Sequence, residues 1–409
     1  MSESTQPHPP ATPIYILRGH ASPIHGLHIF HQNLRLISGD ADGWVVVWNL
    51  VSKRPIASWK AHDGALLEVK GFSPDVGTTE VYTHGRDHKL RVWRFRAHDE
   101  QTLDKRLPVD IAGQTQSPST APSQPWLRHS LPVNALNFCA FAMVSIAADA
   151  ESSTPPATLI AVPNALNSGA IDLFHLPSER RVCTIPADTT VQTGMVMAVQ
   201  LVLAPAGELS VAAAYEDGHV AVFGCRGALR EKDFSRGSTT VWEWEKLYFC
   251  RPHTQPVLSI DVVPAGVEFI SSAADALLVK HPIPPLGSTG QGGPLKQVDT
   301  KHSGQQGLRV RSDGRVFATA GWDARVRVYA VRTLRELAVL KWHKEGCYAV
   351  AFGAVNSASA SDGDAASGAA AGEEFSLATV QKQRNYKVQN THWLAAGSKD
   401  GKISLWDIY

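Results

Sequence analysis

Several features that mark particular classes of protein are missing from this sequence. Its 39 Lys and Arg balance 38 Asp and Glu, and the net charge of +1 favours neither a direct nucleic-acid partner nor a membrane partner. The five cysteines are odd in number, widely spaced and without a Cys-x-x-Cys pair. This pattern argues against disulfides and zinc, and for a reducing compartment.

Targeting and membrane signals are missing as well. Residues 1–13 are polar and rich in proline, with no apolar signal core. No apolar run reaches the roughly 18 residues that suggest a membrane-spanning helix. We therefore expect a soluble intracellular protein whose residues 1–13 are disordered.

Motifs for catalysis and cofactor binding are not found either. The sequence has no Gly-x-x-x-x-Gly-Lys-Ser/Thr phosphate loop and no Gly-x-Ser-x-Gly elbow. His84 and His88 are four residues apart but flank a predicted turn, so they would not share a helix face as metal ligands usually do. We predict no cofactor, no metal and no enzymatic activity.

What the sequence does contain is a repeat in which a turn Asp precedes an aromatic or ring residue by six positions. The six pairs are Asp42 and Trp48, Asp87 and Trp93, Asp217 and Phe223, Asp275 and His281, Asp323 and Tyr329, and Asp400 and Trp406. A seventh, degenerate copy runs from Ser168 to Phe174. A period of roughly 40–45 residues with a strand-turn-strand core is typical of a WD-repeat blade. We predict an all-β, seven-bladed WD-repeat β-propeller.

Ring closure follows from the two ends of the repeat. The last copy stops after its third strand, and residues 14–17 (Ile-Tyr-Ile-Leu) form an isolated strand before the first copy. Pairing the two would complete the seventh blade and remove the open sheet edges. Residues 14–409 would then be a single propeller, with flexible insertions at about 97–126, 149–156, 226–251, 282–300 and 354–372. In the third blade we predict the first strand at 133–139.

Buried hydrogen-bond relays are expected inside the blades. In WD repeats a relay runs from Trp through Ser or Thr and His to the turn Asp, and it satisfies polar groups whose burial unpaired costs about 1–3 kcal/mol each. The predicted relay residues are His20, Ser38, Asp42 and Trp48; His62, Thr83, Asp87 and Trp93; His302, Thr319 and Asp323; and His343, Asp400 and Trp406. The seventh blade has Ala396 where the hydroxyl is expected.

Partner contacts are expected where the repeat is interrupted. Propellers bind partners through loops held at strand ends, and the residue before each turn Asp points to that rim. Arg86 and Trp322 are the residue types that dominate interfaces, although Trp322 could equally pack on a neighbouring blade. The candidate contact residues are His84, Arg86, Ser303, Gln305, Gln306, Trp322 and Lys399.

Several segments resemble the fungal ASTRA-associated WD-repeat family, which is related to the Gβ-like WD-repeat proteins of animals. The resemblance is carried by residues 38–40, 43–45, 59–62, 83–93, 134–139, 161–164, 301–307, 318–323, 337–346 and 397–409. Segments 161–164 (Ala-Val-Pro-Asn) and 301–307 (Lys-His-Ser-Gly-Gln-Gln-Gly) are not explained by the generic repeat, which makes the resemblance specific.

The resemblance implies a non-catalytic scaffold subunit of the ASTRA complex, with roles in chromatin remodelling and in maturation of PI3-kinase-like kinases. The implied partners are a Tel–Tti cochaperone, AAA+ ATPases and the kinases. It also implies a nuclear protein that is monomeric within the complex, with the cytoplasm left open as a second location. Two alternatives stay open: a generic adaptor, such as a Gβ-like signalling subunit or a ubiquitin-ligase substrate receptor, and a propeller hydrolase with a central-channel site.

Overall fold

A computed structural model describes residues 11–112, 123–134, 138–146, 157–228, 234, 242–288, 292–356 and 377–408. These residues form seven four-stranded antiparallel sheets, and the sheets are the blades of a β-propeller. The predicted fold class is therefore confirmed.

The strands follow one another in chain order within six of the blades. Blades one to three contain β2 (Ile24–Phe30), β3 (Arg35–Asp40), β4 (Trp44–Asn49) and β5 (Arg54–Lys60); β6 (Leu66–Phe72), β7 (Thr78–Gly85), β8 (Lys89–Arg96) and β9 (Trp126–Pro132); β10 (Ala142–Ile146), β11 (Ala157–Pro163), β12 (Ile171–Leu176) and β13 (Arg180–Ile185).

Blades four to six contain β14 (Val196–Leu203), β15 (Glu208–Tyr215), β16 (Val220–Ala228) and β17 (Trp244–Cys250); β18 (Val257–Val262), β19 (Glu268–Ala273), β20 (Leu277–Pro282) and β21 (Lys296–Asp299); β22 (Gln305–Val310), β23 (Val316–Gly321), β24 (Val326–Ala330) and β25 (Glu336–Leu340). Blade seven contains β26 (Cys347–Phe352), β27 (Trp393–Ser398), β28 (Lys402–Asp407) and β1 (Tyr15–Arg18).

The helical elements within the described residues are short. They are a 3₁₀ turn (Asp99–Gln101), α1 (Pro108–Ala112) and α2 (Leu377–Asn390). None of them is long and apolar enough to cross a membrane.

The core lies between blades, and alternate residues of the central strands face opposite neighbours. In blade one, Val45 and Val47 of β4 pack with Leu66 of blade two. Val46 and Trp48 of the same strand pack with Ala395 and its neighbours in blade seven. Since side chains alternate across a strand, a sheet covered on both faces needs a continuous apolar run, which the Val-Val-Val-Trp of β4 supplies.

Tight turns bring each blade against the next. Gly43 adopts a φ of +85°, and a Cβ at this position would lie 2.0 Å from the carbonyl oxygen of His62 in the following loop. Gly401 approaches the carbonyl oxygen of His20 in the same way. Only glycine permits both this φ and this approach.

The ring closes through the predicted strand pair. β1 adds to β28 in antiparallel register, with Leu17 opposite Ile403 and Tyr15 opposite Leu405. Leu17 is buried in the cluster shared by blades seven and one, whereas Tyr15 is exposed. The closing strand therefore contributes hydrogen bonds and a core side chain.

The segment predicted as an insertion at 97–126 is partly built into the fold. The backbone N–H of Ser58 on the outer strand of blade one donates to the carbonyl oxygen of Asp104 at 2.7 Å. Leu103 is buried in the core between blades one and two, and Arg35 forms an ion pair with Glu100 at 2.8 Å. Residues 113–122 lie outside the described structure.

Two other predicted insertions contain the outermost strands of their blades. β17 lies within 226–251 and β21 within 282–300. Phe234 is also buried and stacks on His175 with ring centroids 4.6 Å apart. The insertion at 149–156, residues 1–10 of the predicted N-terminal segment and most of 354–372 lie outside the described residues.

Blade three and α2 differ from the sequence-based expectation. The first strand of blade three is β10, not the predicted segment 133–139, whose described residues are not in a strand. Helix α2, inserted between β26 and β27, was not predicted because its sequence is largely polar and lacks a clear apolar stripe. The Asn33 side chain secures the helix end by donating to the carbonyl oxygen of Gln389 at 2.9 Å.

The closing strand gives a stability prediction. Leu17→Ala should lower the free energy of unfolding by about 2–5 kcal/mol, because it leaves a cavity where the ring closes. Urea denaturation followed by tryptophan fluorescence measures this change. Tyr15→Ala, on the exposed side of the same strand, is the matched control and should have a much smaller effect. Equal losses in both variants would contradict the assigned register.

Candidate functional site

Blade two contains the complete relay predicted from the sequence. The His62 ring bonds to the Asp87 carboxylate through Nδ1 at 2.7 Å and to the Thr83 hydroxyl through Nε2 at 2.8 Å. The Trp93 Nε1–H donates to the same hydroxyl at 3.0 Å. Burial lowers the pKa of His62 and so favours the neutral ring, in which one nitrogen donates and the other accepts.

Blade one uses a different aspartate from the one predicted. The His20 ring lies 2.7 Å from both the Asp40 carboxylate and the Ser38 hydroxyl, and Trp48 donates to Ser38 at 2.9 Å. Asp42 is exposed in the turn, so its assignment to the relay was wrong. The six-residue interval to the aromatic residue selected Asp42, but Asp40 at the buried end of β3 faces the histidine.

Blade six replaces the predicted histidine with a glutamine. Gln305 is fully buried, and its Oε1 accepts the Thr319 hydroxyl at 2.7 Å. Asp323 forms its ion pair with Arg327 at 2.6 Å, not with His302. The structure therefore corrects two assignments: His302 is not the relay residue, and Gln305 is a core residue instead of a partner contact.

Blade seven keeps the tryptophan–hydroxyl–histidine part of its relay although it has alanine at the expected hydroxyl position. Ser404, directly opposite Ala396 in the strand register, accepts the Trp406 Nε1–H at 2.8 Å and bonds to His343 Nε2 at 2.9 Å. The Asp400 carboxylate lies 3.8 Å from His343 Nδ1, beyond hydrogen-bond distance, and pairs with Lys402 instead, so its assignment to the relay was wrong. The hydroxyl is therefore supplied by the opposite strand of the pair, and it bonds to the His343 ring.

Blade five has a relay that sequence reasoning missed. His253 bonds to Asp275 at 3.1 Å and to Ser271 at 2.8 Å, and the Ser271 hydroxyl continues to His281 at 2.8 Å. His281 occupies the position of the relay tryptophan and reaches the Tyr248 hydroxyl at 3.0 Å. The interval from Asp275 to His281 was visible in the sequence, but the replacement of tryptophan by histidine hid the relay.

Most candidate contact residues lie on the face formed by the turns between the second and third strands of the blades, here called the upper face. On it Arg86, Ser303, Trp322 and Lys399 are exposed, and Gln306 is half-buried. His84 is fully buried, and its assignment as a partner contact was wrong. It lies within the buried strand β7, opposite Leu90, instead of in the turn.

Two side-chain pairs order the upper face. The Trp322 indole is 48% exposed and donates from Nε1 to Gln306 Oε1 at 2.8 Å, while its ring packs on Gly304. The Arg86 guanidinium stacks over the Phe138 ring at 4.7 Å and joins blade two to blade three. Both predicted residues are thus held in place while part of each side chain stays accessible.

The central channel is crossed by charged side chains below the upper face. Glu68 of blade two forms an ion pair with Arg309 of blade six. Burial raises the pKa of Asp261 and lowers the pKa of Lys70 in the same region. Within the described chain, no three His, Cys, Asp or Glu side chains are placed to hold a metal ion.

Comparison with known proteins gives matches over the whole length of the chain. The family model described as ASTRA-associated protein 1 matches residues 13–406. The chain is similar to ASTRA-associated protein 1 of Aspergillus flavus, with 65% identity over all of both chains, and of Aspergillus niger, with 65% identity over 98% of each. The Schizosaccharomyces pombe protein of the same name is 31% identical over 97% of this chain and 99% of its own.

The corrected relay in blade one gives a second prediction. Asp40→Ala should cost about 1–3 kcal/mol of unfolding free energy, because it orphans the buried His20 ring. Asp42→Ala, in the same turn but exposed, should change stability by no more than about 0.5 kcal/mol. Urea denaturation distinguishes the two variants, and a larger loss for Asp42→Ala would reverse the assignment.

Buried His84 predicts how stability depends on pH. Burial, with a contribution from nearby His62, lowers the pKa of His84 to about 4. The unfolded chain therefore binds more protons between about pH 6.5 and pH 4, and stability falls as the pH falls through this window. The shift corresponds to at most roughly 3 kcal/mol.

Urea midpoints measured at pH 7 and pH 4.5 test this expectation. The loss on acidification should be smaller in His84→Leu than in the wild type. His88→Asn, at an exposed position of the neighbouring turn, is the control and should keep the wild-type slope. An unchanged slope in His84→Leu would show that His84 is not among the groups responsible.

Proposed function

Because the chain belongs to the ASTRA-associated protein 1 family, we propose that it is a non-catalytic scaffold subunit of the ASTRA complex. In this proposal the protein takes part in chromatin remodelling. It also takes part in maturation of PI3-kinase-like kinases, where its partners are a Tel–Tti cochaperone and AAA+ ATPases. It acts in the nucleus. The Gβ-like and ubiquitin-ligase alternatives have less support, since the similarity to ASTRA-associated proteins extends over the full chain.

The scaffold role is supported by a contrast between bound and exposed side chains in the turns of the upper face. The turn carboxylates of the relay blades are bound internally, as Asp87 is by His62 and Arg91. Arg86 and Trp322 are adjacent to such carboxylates but remain exposed. A rigid ring that presents an arginine and an indole suits protein binding, because these residue types concentrate binding energy.

The placement of two strongly shifted ionisable groups, His84 and Cys347, supports a non-catalytic role, whereas the shifted groups of the central channel, His28, Lys70 and Asp261, do not bear on it. Burial lowers the pKa of His28 to about 3 and that of His84 to about 4, and raises the pKa of Cys347 to about 12. His84 and Cys347 are enclosed in the blades, where no substrate would reach them. Catalytic groups with shifted pKa values normally sit together in an open cleft.

Affinity purification from the protein's own cells tests this function. Tagged protein should recover the Tel–Tti subunits and the AAA+ ATPases, and Arg86→Ala with Trp322→Ala should reduce that recovery, since interface hot spots cost about 2 kcal/mol or more. The thermal midpoint of the double variant should stay close to the wild type, because Arg86 is exposed and Trp322 is about half exposed.

The matched control is Val267→Ala, an exposed apolar position in the turn between β18 and β19 on the opposite face. It should leave recovery unchanged. If low-salt purification of the wild type recovers none of these subunits, the scaffold proposal is wrong. If the double variant recovers them as well as the wild type, a different surface is used.

A further inference from the structure

The charges on the lower face of the ring are unevenly distributed. This face lies opposite the upper face, and it is formed by the turns between the first and second strands and between the third and fourth strands of each blade. Its exposed cations in blades six, seven and one, here called the basic surface, are Arg54, Arg315, Arg332, Arg335, Lys382, Arg384 and Lys387. The net charge of +1 for the whole chain does not show this cluster.

The turns of blade six that carry these cations are bonded to each other and to blade seven. The backbone N–H of Val331 donates to the carbonyl oxygen of Arg315 at 2.9 Å and joins the two turns of blade six. The backbone N–H of Val355, at the start of the insertion that contains α2, donates to the Ser312 hydroxyl at 2.8 Å. The arginines of blade six and the insertion of blade seven therefore belong to one continuous surface.

Helix α2 is joined in turn to blade one. The Lys53 ammonium, next to Arg54 in the chain, lies over the Trp393 ring at 4.4 Å. The Trp393 indole donates to the carbonyl oxygen of Val388 in α2 at 2.8 Å. The end of α2 is thus held between blades seven and one, and its cations extend the basic surface toward Arg54.

Few carboxylates among the described residues neutralise the basic surface. Asp313, in the turn between β22 and β23, binds Arg311 at 2.8 Å. Glu336, at the start of β25, lies 3.6 Å from Arg327. Asp407, at the end of β28, is exposed and has no ion pair within the described chain. None of the seven cations has an ion-pair partner there either, so the surface is strongly positive.

Other carboxylates lie farther along the chain or in blade two. Asp75 and Asp99 of blade two are on the lower face, and Glu100 is bound by Arg35. Residues 357–376 of the insertion lie outside the described residues and contain four carboxylates. Those four and Asp407 make five, which is fewer than the seven cations of the basic surface. An excess of positive charge therefore remains.

The side chains of α2 match a phosphate backbone better than a protein surface. Besides its cations, α2 carries the amides Gln381, Gln383, Asn385, Gln389 and Asn390. Amides, lysine and arginine are common donors to phosphate oxygens. Protein interfaces have an apolar centre, whereas the large exposed apolar side chain of α2 is Tyr386 alone. One aromatic ring is also too few for the stacking platform on which single strands are bound.

We propose that the basic surface binds the phosphate backbone of duplex nucleic acid without reading its sequence. The arginines of blade six and the cations of α2 each supply part of the contact. This inference goes beyond the scaffold function and does not rest on it. It also differs from the expectation based on net charge, because a phosphate backbone responds to the local cluster of cations.

Fluorescence anisotropy with a labelled 20-base-pair DNA duplex and the full chain tests the proposal. The Kd should be about 1–100 µM near physiological salt and should rise steeply with salt. Arg315→Gln combined with Arg332→Gln and Arg335→Gln should weaken binding at least tenfold. The slope of log Kd against log salt should fall by about two to three, because each phosphate contact contributes about 0.9.

The matched control removes the same charge from the upper face. Lys60→Gln combined with Lys89→Gln and Lys344→Gln, all at exposed positions, should keep the wild-type affinity and slope. A second test variant, Lys382→Gln with Arg384→Gln and Lys387→Gln, should lower the slope by at least about one. The thermal midpoints of all three variants should stay close to the wild type, because the substituted side chains are exposed.

Several outcomes would overturn the proposal. They are no binding at about 100 µM protein and about 50 mM salt, below the usual range for non-specific binding; an equal loss in the upper-face control; and tighter binding of single-stranded DNA of the same length. Displacement of the duplex by poly-glutamate at equal charge concentration would identify an acidic protein as the partner instead. An RNA duplex that binds as tightly as the DNA duplex supports recognition of the backbone.

Failure of this proposal can be distinguished from failure of the scaffold function. If the wild-type protein recovers complex subunits from cells but does not bind the duplex, the basic surface has been misassigned and the scaffold function stands. Duplex binding without any subunit recovery has the opposite meaning.

Discussion

The structure depends on the antiparallel pairing of β1 with β28. Every blade buries both faces of its sheet against its neighbours, as the central strand β4 does with alternate residues facing blades two and seven. Such packing is satisfied at every interface only if the array closes. Leu17 opposite Ile403 closes it with the segment that lies first in the chain, so the two ends of the sequence share one blade.

The hydrogen-bond relays recur from blade to blade as a similar buried arrangement, although the residues that form them differ. Blade two uses histidine, threonine and tryptophan, whereas blade six uses Gln305 and blade five uses His281 in place of tryptophan. In blade seven Ser404 supplies the hydroxyl from the facing strand. In blades one, two, five and six the relay satisfies donors and acceptors that would be costly to bury unpaired, whereas in blade seven His343 Nδ1 has no hydrogen-bond partner among the described residues.

The residues proposed to bind partners are those that take no part in the hydrogen-bond relays. Internal bonds occupy turn carboxylates such as that of Asp87. Arg86 and Trp322 are ordered by Phe138 and Gln306 but keep accessible surface. A scaffold needs this combination, because a preorganised surface loses little entropy on binding.

The sequence by itself determined the fold, the number of blades and the closing strand. These depend on the period of the repeat and on the apolar pattern of single strands, both of which can be read from short segments. It also placed Arg86 on the exposed rim, but it left Trp322 open between exposure and packing on a neighbouring blade. Only the tertiary structure decided that Asp40 replaces Asp42, that Gln305 is buried and that Ser404 compensates for Ala396. Those outcomes depend on which side chains of different strands and loops meet in space. The spacing of residues along the chain does not give the distances between those side chains.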